Sequence, residues 1–144
     1  MLHAYKLAAL LALFVLPAAA LAAGEIVMHK DPYCGCCSAW AEHMRSHGFA
    51  VKEVVTNDIA SVKLAHGLSR ELASCHTAVV DGYIIEGHVP AKDVKRLLAE
   101  RPDVAGLAVP GMPMGSPGME GPVRQPYNVI AFIKDGKLKV FNRH

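Results

Sequence analysis

Three of the chain's four cysteines lie within one short stretch, Asp31-Pro32-Tyr33-Cys34-Gly35-Cys36-Cys37. A short apolar segment, Ile26-Val27-Met28, precedes this stretch, and a helix-like segment follows it. Three thiols this close together can share a soft metal ion or exchange disulfides, whereas a bridge that stabilises a fold usually joins positions far apart in the sequence. The stretch therefore indicates a thiol site where a first strand meets a first helix.

Strand-like and helix-like patterns alternate on either side of this site. In chain order, the expected elements are strand 25–29, helix 36–47, strand 49–55, helix 58–66, strands 77–81 and 83–86, and a third helix that Pro90 opens. This order is typical of a thioredoxin-like domain. We therefore predict an α/β fold, with a thioredoxin-like mixed sheet and flanking helices.

Such a domain would bring distant residues to the cysteine motif. Its antiparallel third strand begins at the end of the sheet where the first strand finishes, so Ser74-Cys75-His76-Thr77 is expected beside Cys34 to Cys37. The fourth strand runs back to the same end and delivers Gly87-His88-Val89 there. The motif itself lies at the N-terminus of the first helix, a position that favours thiolate over thiol.

A stretch rich in glycine and proline, residues 106–122, carries three of the chain's six methionines, Met112, Met114 and Met119. Its composition argues against a helix or an interior strand, so we expect a long loop. Long loops in compact domains are usually functional or disordered. A closing β-hairpin, with strands 129–134 and 137–141 around Asp135-Gly136, is expected to tether the far end of this loop.

Sulfur and imidazole dominate the candidate functional side chains. Thiolate and thioether sulfurs are the soft ligands that select Cu(I), and imidazole can complete such a set. The candidate metal ligands are Cys34, Cys36, Cys37, Cys75, His76, His88, Met112, Met114 and Met119. Because these exceed the ligands of one tetrahedral ion and thiolates can bridge metals, we expect copper, with more than one ion per chain.

His43 and His47 form a separate histidine pair, four residues apart on the first predicted helix. They could hold a metal on the exposed face of that helix. We exclude them from the main site because His47 lies ten residues beyond Cys37, which is about 15 Å along a helix. A solvated helical face explains them better.

The first residues of the chain, 1–22, have the pattern of a secretory signal peptide, with Lys6, an apolar run from Leu7 to Leu16, Pro17, and the small-x-small site Ala20-Leu21-Ala22. The apolar run is shorter than the roughly 20 residues of a membrane-spanning helix, so we expect cleavage and export without stable membrane insertion. Residues 23–144 then form a single domain. The formal net charge is +2 and no basic patch is interleaved with aromatics, so nucleic acid is not an expected partner.

Several segments resemble the CopG-like family of exported copper-resistance proteins. They are Cys34-Gly35-Cys36-Cys37 with Trp40, Ser74-Cys75-His76-Thr77, Gly82-Tyr83, Glu86-Gly87-His88-Val89-Pro90, and Gly111-Met112-Pro113 through Gly118-Met119-Glu120. The resemblance covers essentially all of residues 23–144. It implies a thioredoxin-like, periplasmic protein in which the cysteines hold copper and the methionine loop and His88 supply further ligands. If copper is handed on, the expected partners are other periplasmic copper-handling proteins.

The chain departs from thioredoxins themselves at two points. Cys36 occupies the spacer between Cys34 and Cys37, and His76-Thr77 stands where such enzymes carry a proline before the third strand. In thioredoxin-like folds that proline helps to keep metals out of the dithiol. Its replacement favours metal binding over thiol exchange.

Three interpretations of the cysteines stay open at the level of sequence. In the first, the protein holds Cu(I), passes it on, or cycles it between Cu(I) and Cu(II), and its status as an enzyme is left open. In the second, it is a thiol-disulfide oxidoreductase that uses Cys34 and Cys37, with Cys75 as the resolving thiol. In the third, two disulfides pair all four cysteines and the site is purely structural.

Overall fold

The computed structural model describes residues 24–144, which form seven strands and three helices. The predicted signal peptide at 1–22 lies outside these residues. In chain order the elements are β1 Ile26–Lys30, α1 Gly35–Ser46, β2 Val51–Val55, α2 Ile59–Ala65, β3 Thr77–Val80, β4 Tyr83–Glu86, α3 Ala91–Glu100, β5 Gly106–Ala108, β6 Asn128–Phe132 and β7 Leu138–Arg143. Within residues 24–144, no helix has the length and apolar character needed to cross a membrane.

All seven strands belong to one mixed sheet, in the order β2-β1-β3-β4-β5-β6-β7. Strand β1 is parallel to β2 and antiparallel to β3, and β3 is antiparallel to β4. These four strands and the three helices form the predicted thioredoxin-like arrangement, so the predicted fold class is confirmed. Beyond them, β5 runs parallel to β4, and the antiparallel strands β6 and β7 extend the sheet to its other edge.

The hydrophobic core is larger on one face of the sheet than on the other. On one face, α1 and α3 pack through the fully buried side chains of Trp40 and Leu97 against strand residues such as Ile85. On the other face, a smaller cluster contains Ile84 and Phe132. Ile84 and Ile85 are neighbours in β4, and they join opposite clusters because side chains alternate across a strand. The larger core fixes α1, and with it the cysteine motif, on the sheet.

The prediction of a loop over residues 106–122 is wrong at its beginning. Gly106–Ala108 forms β5, an interior strand between β4 and β6. A Cβ atom on Gly106 would overlap the carbonyl oxygen of Ile84, so only glycine allows β5 to lie this close to β4. The glycine that suggested a loop is therefore the residue that permits the strand.

The closing hairpin is confirmed by β6 and β7, which pair antiparallel. Its turn lies at Asp135-Gly136, where the Gly136 N–H donates to the Ile133 carbonyl over 3.0 Å. The hairpin returns the chain to the sheet next to β5. The methionine-bearing segment, residues 109–127, is therefore tethered to the sheet at both ends.

We predict that Gly106→Ala lowers the free energy of unfolding by about 2 kcal/mol or more, because the added methyl group has to displace the backbone of β4. Urea unfolding followed by circular dichroism measures this change. Gly35→Ala is the matched control, since a Cβ at Gly35 meets nothing within 4 Å and the residue lies in the first turn of a helix. Equal unfolding midpoints for the two variants would contradict the close packing of β4 and β5.

Candidate metal centre

The cysteine motif lies at the junction of β1 and α1, as the sequence predicts. Cys34 is the N-cap residue of α1 and is partly exposed, as is Cys36, whereas Cys37 is fully buried in the main core. Cys34 and Cys37 form a disulfide, and Cys36 and Cys75 are free thiols. The interpretation in which two bridges pair all four cysteines is therefore wrong.

Cys75 lies against the motif although it is far away in the sequence. Its Sγ atom is 4.0 Å from Cys36 Sγ, and Cys36 Sγ is 3.6 Å from Cys34 Sγ. The sulfur atoms of all four cysteines lie within 4.8 Å of one another. The predicted proximity of the segment before β3 to the motif is thus confirmed, and it creates a cluster of four sulfurs.

His88 completes this cluster from the end of β4. Its Nε2 atom lies 2.9 Å from Cys75 Sγ, and its Nδ1 atom lies 2.7 Å from the carbonyl oxygen of Pro117. Because a carbonyl can only accept, Nδ1 carries the proton and Nε2 presents its lone pair to the sulfur. Burial lowers the pKa of His88, which keeps the ring neutral. A neutral imidazole held in this way by a backbone carbonyl is preorganised to bind a metal through Nε2.

His76 lies in the interior beside the same sulfur. Its Nδ1 atom is 3.5 Å from Cys75 Sγ, and its ring is 4.4 Å from the ring of Trp40 between centroids. Its Nε2 atom is buried without a hydrogen-bond partner among the described residues, and burial lowers the pKa of His76 well below its usual range. A buried polar atom without a partner costs about 1–3 kcal/mol. Cys75, His76 and His88 are a second group of residues whose candidate ligand atoms lie within 4.8 Å of one another.

The Cys75 thiol is held in its neutral form. Burial, followed by the nearby Cys36 sulfur, raises the pKa of Cys75 to about 12. A soft cation can bind this sulfur by replacing its proton, since only the thiolate is a metal ligand. The Cys75 thiol therefore carries a proton in the free site, and a metal ion that binds there would replace this proton.

The loop that carries the methionines folds over the sulfur cluster. The Gly111 carbonyl accepts a hydrogen bond from the Ser74 hydroxyl, next to Cys75, and the Gly111 N–H donates to the Ala73 carbonyl over 3.2 Å. Farther along, Gly118 has a φ of +89°, and a Cβ there would lie 2.7 Å from the carbonyl oxygen of Cys36. Glycine at position 118 thus allows the loop to touch the first turn of α1.

The three methionines are placed differently. Met112 and Met119 each follow a glycine that touches the site, and Met112 is 51% exposed whereas Met119 is half-buried. Met114 instead pairs with Gln125 through its backbone, and its terminal methyl group lies against Gly121. The loop therefore places Met112 and Met119 next to glycines that touch the site, and it turns Met114 toward its own returning segment.

His43 and His47 lie outside the cluster, in agreement with their exclusion, but His43 is not simply solvated. Its Nε2 atom accepts a hydrogen bond of 3.1 Å from the backbone N–H of Ala91, the first residue of α3. The Nδ1 atom of His47 donates to the His43 carbonyl over 2.8 Å. His43 therefore ties α1 to the helix that follows His88.

Glu86 supports the site but was not among the predicted site residues. It is fully buried, and its carboxylate accepts hydrogen bonds of 2.7 Å from the Ser74 N–H and from the Thr77 hydroxyl, together with a bond from the Lys63 ammonium. These contacts fix the segment that carries Cys75 and its neighbour His76. The sequence offers one signal for this role. Glu86 is the single acidic residue of the otherwise apolar strand β4, and a buried carboxylate needs hydrogen-bond partners.

The fold and the site together define a thioredoxin-like α/β protein with clustered cysteine and histidine side chains at one end of its sheet. Two solved structures, both of the copper resistance protein CopG, in forms 1 and 2, match this chain with 43% sequence identity and a TM-score of 0.80. The match with form 2 covers 84% of this chain, the match with form 1 covers 85%, and each spans 98% of the solved chain. This chain belongs to the CopG family, as its sequence segments predict.

A family profile described as "Protein of unknown function, DUF411" matches residues 72–119. This range begins just before Cys75, ends at Met119, and includes both site histidines. A comparison with curated proteins finds no match.

We predict that Glu86→Gln lowers the free energy of unfolding by about 3 kcal/mol, because it leaves the largely buried Lys63 ammonium without its counter-charge. Glu100→Gln is the matched control. Glu100 pairs with Arg96 on the surface of α3, so its replacement should cost less than about 1 kcal/mol. Urea unfolding of both variants measures the difference, and similar losses would contradict a supporting role for Glu86.

Proposed function

We propose that this protein is exported to the periplasm, where it binds copper and acts in copper resistance and homeostasis. The observation that carries the proposal is the cluster of four cysteine sulfurs with the His88 Nε2 atom beside Cys75. The family relatives are described as copper resistance proteins, which agrees with this chemistry. The export step rests on the signal pattern of residues 1–22.

The donor set suits copper better than a hard cation. Thiolate and thioether sulfurs select Cu(I), and neutral imidazole accepts either copper oxidation state. Cys34, Cys36, Cys37 and Cys75 would hold the metal in the reduced protein, with His88 as the nitrogen ligand and His76 as a second nitrogen ligand. Met112 and Met119 would add thioethers from the loop. Met114 is the weakest candidate because it packs within the loop.

The number of donors supports more than one copper ion. One tetrahedral ion takes four ligands, and the cysteines alone supply four. Thiolates that bridge two ions, together with the imidazoles and thioethers, would hold further copper. The same mixed set can serve Cu(I) and Cu(II), so the protein would cycle copper between these states and pass it to other periplasmic copper-handling proteins.

A second candidate function is thiol-disulfide exchange, and one observation favours it. Cys34 and Cys37 are bonded at the N-terminus of a helix, and Cys34 is the partly exposed member of the pair. This is the position at which a dithiol is reactive. The methionines separate the two functions, because thiol exchange has no use for them.

We predict that the reduced protein, loaded anaerobically with Cu(I) and dialysed against a competing chelator, retains two or more copper ions per chain by elemental analysis. The double variant Met112→Leu with Met119→Leu should bind copper about tenfold more weakly, because it loses two thioether ligands. Met114→Leu is the matched control and should bind like the unmodified protein.

Two results would contradict parts of this proposal. One is the loss of all copper to the chelator while the thiols react readily with a model disulfide, which would favour the oxidoreductase. The other is an equal copper affinity for the double methionine variant and its control, which would remove the loop from the site.

A further inference from the structure

We propose that the Met112 thioether is a reversible modification site: transfer of an oxygen atom from a peroxide converts it to the sulfoxide and lowers the affinity of the protein for Cu(I). This inference rests on the proposed function, since it needs Met112 to be a copper ligand. It adds a regulatory reaction that takes place on the loop alone. No copper ion and no cysteine changes its oxidation state in this step.

Met112 is the accessible methionine of residues 24–144. It is 51% exposed, whereas Met114 and Met119 are partly buried. Met28 and Met44 are fully buried in the main core. A dissolved peroxide has to reach the sulfur atom in order to oxidise it, so the rate of oxidation should follow the exposure of each side chain. The fold therefore selects one of these five thioethers for reaction.

The backbone on both sides of Met112 is hydrogen-bonded, so the exposure of this residue is built into the loop. Before it, the Gly111 carbonyl accepts a hydrogen bond from the Ser74 hydroxyl. After it, the Pro113 carbonyl accepts from the Ser116 N–H over 3.1 Å and from the Ser116 hydroxyl over 2.7 Å. Met112 is therefore held at the surface, next to the segment that precedes β3.

Oxidation of the cysteines can be separated from oxidation of Met112. Cys34 and Cys37 are already bonded to each other. Burial, followed by the nearby Cys36 sulfur, raises the pKa of Cys75 to about 12, which keeps this thiol in its less reactive neutral form. Cys36 is a partly exposed free thiol, but a dithiol reagent reverses its sulfenic acid and its disulfides. Methionine sulfoxide instead needs a methionine sulfoxide reductase.

The step balances as an oxygen transfer. The Met112 sulfur gives two electrons to hydrogen peroxide, whose O–O bond breaks. One oxygen forms the S–O bond of the sulfoxide, and the other leaves as water. A methionine sulfoxide reductase is the co-reactant that reverses the change: two thiols are oxidised to one disulfide, the S–O bond breaks, and its oxygen leaves as water.

The modification removes a soft ligand from the loop. Thioether sulfur selects Cu(I), whereas the polar sulfoxide presents an oxygen, which is a hard ligand. The cysteines and His88 are unchanged, so the affinity for Cu(I) should fall without being abolished. We expect a loss of about threefold, because one of the two thioether ligands proposed for the loop is removed. An oxidising environment would thus favour release of Cu(I).

The test exposes the purified, copper-free protein to hydrogen peroxide and then to dithiothreitol, which restores the thiols. Peptide mass spectrometry measures the gain of one oxygen at each methionine, and competition with a Cu(I) chelator measures the affinity. We expect Met112 to be oxidised about fivefold faster than Met114 or Met119, or more. The affinity for Cu(I) should fall about threefold and should recover after treatment with a methionine sulfoxide reductase.

Two variants make this test specific. Met112→Gln carries a polar side chain of similar length to methionine sulfoxide, and it should bind Cu(I) about threefold more weakly without any oxidant. Peroxide followed by dithiothreitol should not weaken it further. Met114→Gln is the matched control on the same loop, and it should keep both the affinity and the peroxide sensitivity of the unmodified protein. Urea unfolding checks that both variants keep the fold.

The outcomes separate this inference from the proposed function. Equal rates of oxidation at Met112 and Met119 would overturn the inference and keep the proposed function. A sulfoxide at Met112 that leaves the affinity unchanged, while Met112→Leu weakens it, would do the same. If Met112→Leu binds Cu(I) like the unmodified protein, both the inference and the proposed role of Met112 as a ligand fail. Loss of all copper from the untreated protein to the chelator would overturn copper binding itself.

Discussion

The register of β3 between its two neighbours is the constraint on which the site depends. Thr77, the first residue of β3, lies opposite His29 of β1 and Glu86 of β4. This pairing places Cys75, two residues earlier, just beyond the end of β1, where the cysteine motif begins. A slip by one residue would turn every side chain of β3 to the other face of the sheet and would carry Cys75 away from Cys36. The Glu86 carboxylate secures the register by holding Thr77 and the backbone of Ser74.

The sulfur cluster lies between the tightly packed core and the methionine loop. Behind it, Trp40 is fully buried and donates to the Val89 carbonyl over 2.9 Å, which ties α1 to the segment that carries His88. In front of it, the methionine loop touches the cluster through Gly111 and Gly118. Burial lowers the pKa of the His76 and His88 imidazoles and raises the pKa of the Cys75 thiol, so these three groups carry no charge in the free site. A soft cation is therefore the species that this interior is suited to accept.

Much of the fold could be predicted from sequence because its signals are local. Alternating patterns predict each strand and helix up to α3, and the order of these elements then predicts that Cys75 and His88 reach the cysteine motif. Strand β5 could not be predicted, because glycine is required at position 106 by the close approach of the Ile84 carbonyl. This contact is made across the sheet and leaves no local pattern in the sequence. Local composition alone suggests a loop.

The individual roles within the site depend on similar contacts between distant residues. The sequence pairs Cys34 with Cys37 in only one of its three interpretations, and it does not predict that Pro117 sets the tautomer of His88. It also does not separate Met114 from the other two methionines, because their difference lies in how the loop turns back at Gln125. Glu86 was missed as a site residue because its partners come from α2, from the segment before β3 and from the first residue of β3.

X-ray absorption at the copper edge of the fully reduced, Cu(I)-loaded protein tests most directly whether these distant residues meet at one metal. We expect a shell dominated by sulfur with an imidazole contribution that decreases in His88→Ala and is unchanged in His47→Ala. Copper bound mainly by nitrogen and oxygen, or an imidazole contribution that is as large in His88→Ala as in the unmodified protein, would contradict the assignment of the site.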